Sequence, residues 1–223
     1  MIDLASLRLW QLISPALPVG AYAYSQGLEY AVTGGWVADE ASALEWIEGG
    51  AGCSIVTLDL PVMQRMYRAW QADDEAKVIY WSCFLAASRE SSEILAEDNQ
   101  LGKSLARLLG DLEVGQAEAW RFKQAVNFPA MFALATTHWQ IDLQQALAAY
   151  LWAWCENQVA AAIKLVPLGQ TAGQRLLSAL ILRIPTWVEQ AMAIEEDDIG
   201  VLCPGVAIAS ARHETQYSRL FRS

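Results

Sequence analysis

Four short stretches of this sequence hold residues that could do chemistry. "GKS" at 102–104 has the ending of a phosphate-binding loop, in which glycines let the backbone cradle phosphates and a lysine reaches them. That loop needs a glycine five residues before the Gly of GK, and Glu97 stands there. The local pattern is also helical, so no nucleotide site is expected. "HETQY" at 213–217 begins like a zincin helix, but the second histidine position holds Tyr217. "EEDD" at 195–198 could attract divalent cations weakly, although acidic runs are ordinarily solvated loops. Cys155 and His138 are a conceivable nucleophile and base, yet no spacing brings them together, and Cys155 shares an apolar stripe with Trp154. Cysteines 53, 83, 155 and 203 show no CxxC pair and no zinc spacing, and read as buried or incidental thiols. With only two histidines, a zinc or nickel cage within one chain is not expected. No nucleophile elbow is present. A binding protein is a better reading than an enzyme.

Two stretches look built for contact instead. In "KLVPLGQTAGQ", 164–174, Lys164 closes a helix where a cation suits the dipole. Gly169 and Gln170 fall on the sharp connector after it, an exposed position suited to contact. "SPALPVGAYAYSQGLE", 14–29, crowds turn residues and two tyrosines into an otherwise helical chain. Tyr22 and Tyr24 supply either core packing beneath the turn or surface above it.

Composition agrees with a partner-binding role. Hydrophobic residues make up 54% of the 223 residues and ten are Trp, a residue enriched at interfaces. The longest near-apolar run, "ALAAYLWAWC", is too short for a bilayer span. Asp3 and Arg8 interrupt the first apolar stretch, so it does not read as a signal peptide, and a cytoplasmic chain is expected. The net charge of −10 disfavours nucleic acid. The last twelve residues, "RHETQYSRLFRS", reverse it with three Arg and one Glu, which makes a basic, aromatic docking segment.

The elements that must position these residues are helices. Residues 3–13 form a first helix, stopped by Pro15 and Pro18. Ser25 caps a second that "TGG" at 33–35 closes, and Asp39 caps a third whose end Gly49, Gly50 and Gly52 loosen. Pro61 marks a kink or a start within 55–71. Helices follow over 73–88 and 90–109, then a less regular stretch to 128. Phe128-Pro129 opens another helix to about 138. The clearest period covers 142–165. Thr171 and Gln174 form a capping box for the next helix, which Pro185 ends or bends. With no alternating strands and no linker, the expectation is one all-α domain, 1–223, of about ten helices, ending in a tail at 210–223.

Three segments together resemble one family. "LWQLISPALPVGAYAYSQGLE" (9–29), "IKLVPLGQ" (163–170) and "ASARHETQYSRLFRS" (209–223) are similar to the urease accessory protein UreF family, and "SRESSE" (88–93) fits its Arg-Glu helix start more loosely. Ala23 and Tyr22 stand where the family often has Ser and Phe, and neither difference alters charge. The resemblance implies an all-α homodimer without catalytic activity. It would bind UreD (UreH in some organisms) and recruit and regulate the GTPase UreG, so that the assembly delivers nickel to apo-urease. No tightly bound cofactor is implied; nickel is handled by the complex. Carried over by position, Tyr24, Ser25, Gln26, Glu29, Lys164, Gly169 and Gln170 would face UreG. Arg212, His213, Glu214, Tyr217, Arg219, Leu220 and Phe221 would serve the UreD and dimer contacts, ordering on docking. Two competing readings are a helical enzyme using Cys155 or Lys164, and a nickel carrier built on "EEDD" and His213.

Overall fold

The computed structural model describes residues 3–124 and 126–223, and among these there are helices and turns but no strand. Local capping chemistry starts most helices. Asp3 accepts the Ser6 N–H and opens α1 (Leu4–Leu12). Asp39 and Ser42 form a capping box at α3 (Glu40–Gly50). Asp74 caps α5 (Glu75–Ala87), Ser91 caps α6 (Ser92–Asp111), Asn127 caps α8 (Phe128–His138) and Asp142 caps α9 (Leu143–Leu165). Between them lie the short α2 (Leu28–Thr33), α4 (Leu60–Gln71) and the short α7 (Gly115–Trp120), which occupies the stretch expected to be irregular. The chain closes with α10 (Gln170–Ala193) and α11 (Pro204–His213).

Three expectations about punctuation are corrected, and those for Pro61 and Pro185 are narrowed. The cap of α2 is Gly27, not Ser25: its φ of 82° is left-handed, and a Cβ there would lie 2.9 Å from the Ser210 backbone nitrogen. Two demands thus select glycine at one position. The glycines after α3 do not loosen its end. The helix widens into a π-helical stretch, Ala51–Asp59, and runs directly into α4, with Gly50 at its entry packed against Trp154 and Val206. Pro61 falls at the junction where the π-helical stretch gives way to α4. The cap of α10 is Gly169 rather than Thr171, with no side-chain cap bond, and α10 passes Pro185 without ending. "EEDD" forms a single 3₁₀ turn over Glu196–Asp198.

The core is organised around α8. Its residues Pro129–Thr136 are all buried, so it is apolar all round and central rather than amphipathic. Helices α4, α6 and α9 pack on it, and α10 packs along α9. Trp70 Nε1 donates to the Ala130 carbonyl at 3.1 Å and Tyr67 OH to the Ile141 carbonyl at 2.8 Å, so these large side chains also satisfy their polar ends. The "GKS" glycine finds its explanation here. A Cβ on Gly102 would sit 2.5 Å from the Asn127 carbonyl carbon, so glycine lets α6 approach the start of α8. Cys155 is sealed in the same core at 0% exposure, out of reach of solvent, and burial pushes its thiol up to about 12. His138 is exposed at the end of α8.

Candidate functional site: a C-terminal clasp

After α11 the chain turns and runs back over the 23–29 segment, pairing with it by main-chain bonds. Arg222 N–H donates to the Ala23 carbonyl at 2.8 Å, and Ser25 N–H to the Ser223 carbonyl at 2.8 Å. Ser25 Oγ donates to the same Ser223 oxygen at 2.6 Å and accepts from Glu29 N–H at 3.3 Å. Ser25 therefore holds the C-terminus as well as supporting the start of α2.

Glu29 is the acceptor around which the tail folds. Its carboxylate, buried on α2, accepts the backbone N–H groups of Leu220 and Phe221 at 2.7 and 2.8 Å. His213 Nε2 lies 3.2 Å from the same carboxylate, and His213 Nδ1 lies 2.6 Å from Glu93. Both ring nitrogens thus face carboxylates. Arg219 reaches the other Glu93 oxygen at 2.7 Å. The two carboxylates are answered by the Arg219 cation, the His213 ring and two amides, so neither is buried without partners. Glu214 accepts from Ser92 N–H and Oγ at 3.0 and 2.7 Å, fastening the turn after α11 to the start of α6.

Phe221 completes the seal. It is 6% exposed, and Lys164 Nζ at the end of α9 sits 5.5 Å above its ring. Gln26 works beneath the clasp. It has a left-handed φ of 51°, donates through Nε2 to Glu97 at 2.8 Å and accepts the Trp154 indole N–H at 2.8 Å. Ser223 Oγ donates to the second Glu97 oxygen at 2.8 Å. Burial pushes the Glu97 carboxyl up to about 7. Next to it Arg89 is held between Asp59 and Asp98, at 2.7 Å to each, and Tyr150 OH donates to Asp59 at 2.8 Å. Burial opposes the Arg89 charge, and the two carboxylates outweigh it and hold the guanidinium above its ordinary range. Gln26, Glu97 and this network line one side of a cleft of about 270 Å³, with Leu17 and Trp154 among its apolar walls.

The structure therefore brings together residues that the sequence divided between two faces. Ser25, Gln26, Glu29 and Lys164 share one cluster with His213, Glu214, Arg219, Leu220 and Phe221. The tail lies folded on its own body, where Glu29 and Glu93 accept its amides and Arg219. The tyrosines divide, with Tyr24 at 6% exposure in the core and Tyr22 at 70% on the surface. Ser25 and Glu29 are buried and bonded to the tail, and the Tyr24 carbonyl accepts from Asn157 at 3.1 Å. Arg212, Tyr217 and Leu220 project outward, and Gly169 and Gln170 are exposed at the start of α10, outside the hydrogen-bonded cluster. Glu93, Glu97, Asp59 and Asp98 were missed by sequence reasoning. A signal existed for Glu97: it lies one helical step before Leu101 and Leu105, so a carboxylate stands on an apolar stripe.

The nickel-carrier reading loses its histidine, since both His213 nitrogens are engaged by Glu29 and Glu93. Among the described residues no group of three or more His, Cys, Asp or Glu is placed to hold a metal ion. Among them, too, no helix is long and apolar enough to cross a membrane.

Comparison with known proteins bears on the whole chain. The UreF family model matches residues 37–181. The two segments that form the clasp lie outside that match, but full-length relatives cover them. The urease accessory protein UreF of Alkalilimnicola ehrlichii is 51% identical over 220 residues, 99% of this chain and 96% of its own. That of Hahella chejuensis is 46% identical over 223 residues, the whole of both chains. That of Teredinibacter turnerae is 48% identical over 217 residues, 97% of this chain and 98% of its own. Helical architecture, family match and near-complete coverage by these relatives agree: the chain belongs to the UreF family.

Proposed function

We propose that this chain is a non-catalytic urease maturation factor of the cytoplasm, working as a homodimer with UreD/UreH to recruit and regulate the GTPase UreG during nickel insertion into apo-urease. Membership of the UreF family supports the urease role. The observation that carries the partner reading is the clasp. It fixes a basic, aromatic tail on an acidic body and leaves Arg212, Tyr217 and Leu220 projecting from a rigid base, the arrangement expected of contact residues. Tyr217, Arg212 and Leu220 are assigned to UreD/UreH and the dimer. Lys164, Gly169 and Gln170 are assigned to UreG, together with the segment that holds Tyr24, Ser25, Gln26 and Glu29. Nickel is cargo of the assembly in this reading.

Co-purification of the chain with UreD and UreG tests it, together with urease activation in cells that have this chain as their only UreF source. Recovery of the three-protein complex and restored urease activity are expected. A chain lacking residues 212–223 that still bound UreD at full affinity would overturn the tail assignment. No complex from the intact chain would overturn the recruitment role.

A further inference from the structure

Two thiols face one another away from the clasp. Residues 200–206 run antiparallel to residues 57–50 of the π-helical stretch. Gly200 N–H donates to the Thr57 carbonyl at 2.9 Å at one end. At the other, a Val206 methyl lies 3.8 Å from where a Cβ on Gly50 would be. Cys203 falls midway along one segment and Cys53 midway along the other. Their thiols are accordingly neighbours, close enough for Cys53 to perturb the Cys203 thiol. Cys203 also occupies the cap position of α11, where its N–H donates to Glu90 at 3.1 Å.

We propose that Cys53 and Cys203 are a redox-modification site, forming a reversible disulfide under a peroxide oxidant. Accessibility assigns the order. Cys53 is half-buried and within reach of a small oxidant, whereas Cys203 is buried. Burial and the Cys53 contact push the Cys203 thiol up to about 12, so it stays protonated until its neighbour reacts. The Cys53 thiolate attacks one peroxide oxygen, the O–O bond breaks, and Cys53 becomes a sulfenic acid as hydroxide leaves. The Cys203 sulfur then attacks the Cys53 sulfur. The S–O bond breaks, the Cys203 proton leaves with the hydroxyl as water, and the S–S bond forms. In total two thiols and one hydrogen peroxide give one disulfide and two waters. A thiol reductant reverses the step.

The crosslink would tie the N-terminus of α11 to the long α3–π–α4 helix, at the opposite end of α11 from His213. This inference does not rest on the proposed function. The other thiols provide internal references, since Cys155 is sealed and Cys83 is exposed on α5.

The test is hydrogen peroxide titration of the purified full chain, followed by peptide mapping without reduction. Expected is a peptide joining Cys53 to Cys203, lighter by two hydrogens and lost on treatment with dithiothreitol. Cys203→Ser should leave a Cys53 sulfenic acid that dimedone labels, and Cys53→Ser should leave Cys203 reduced. The proposal is overturned if a dose that fully oxidises Cys83 leaves Cys53 and Cys203 both reduced, or if Cys53 pairs only with Cys83. If either serine variant fails to fold by circular dichroism, the linked peptide from the unsubstituted chain decides alone.

Discussion

Replacing Glu97 with Gln should make the protein more stable at pH 8 and have a much smaller effect at pH 5. Glu97 is buried between Gln26 and Ser223, and burial raises its carboxyl from 4.5 to about 7. The folded chain therefore holds this proton more tightly than the unfolded chain does. Below about pH 4.5 both states are protonated and Glu97 imposes no penalty. Between about 4.5 and 7 the unfolded state ionises first, so stability falls as pH rises. Above about 7 both states are ionised and the penalty is complete. At about 1.4 kcal/mol per pH unit, a rise of this size amounts to about 3 kcal/mol, reduced by whatever water reaches the site. Glutamine has the same shape and no charge. Its amide oxygen accepts from Gln26, and its amide nitrogen faces the Ser223 hydroxyl, which can turn to accept. Urea unfolding of parent and variant at pH 5, 6, 7 and 8 isolates the Glu97 contribution, because the other titrating groups cancel in the difference. The expected difference grows from under about 1 kcal/mol at pH 5 to about 3 kcal/mol in favour of the variant at pH 8. A difference that is flat across this range, or that favours the parent at pH 8, would refute the reasoning.

Five other substitutions probe the clasp and the core. Glu29→Ala removes the acceptor of two tail amides and a partner of His213, and should cost about 3 kcal/mol and make the tail susceptible to carboxypeptidase; a tail that resists digestion as in the parent contradicts the clasp. Lys164→Ala should lower stability by under about 1 kcal/mol, because Lys164 is exposed above Phe221, while Phe221→Ala should cost about 3 kcal/mol; denaturant midpoints order the two. Gly102→Ala should destabilise by about 3 kcal/mol through the clash with Asn127, whereas Lys103→Ala, on an exposed position of the same "GKS", should change stability by less than about 0.5 kcal/mol; equal effects would dismiss the packing account of that motif.

The legible part of the site was its chemistry of exclusion and its termini. The absence of a second histidine after "HETQ" and the missing glycine at Glu97 were plain from spacing alone. The tail and the 14–29 turn stood out by composition, and both form the clasp. Their pairing with each other was not visible. Ser25 and Ser223 lie 198 residues apart, and Glu29 and His213 lie 184 apart. Hydrogen bonds over such distances leave no periodicity, because each partner obeys only its own local pattern. Tyr22 and Tyr24 illustrate the same limit: two identical residues in one turn were assigned to opposite sides only by where the backbone went.

The sequence by itself determined the helices, and through its similarity to known proteins the family. Asp39 could be read as a cap because capping joins atoms three residues apart, and the core stripe of 142–165 because helical burial repeats every 3.6 residues. Tertiary structure alone decided which glycine capped α2, why Gly102 must be glycine, and which carboxylates receive the tail. Those outcomes depend on what another helix or the returning chain brings close, so the same residue types read differently until the neighbour arrives.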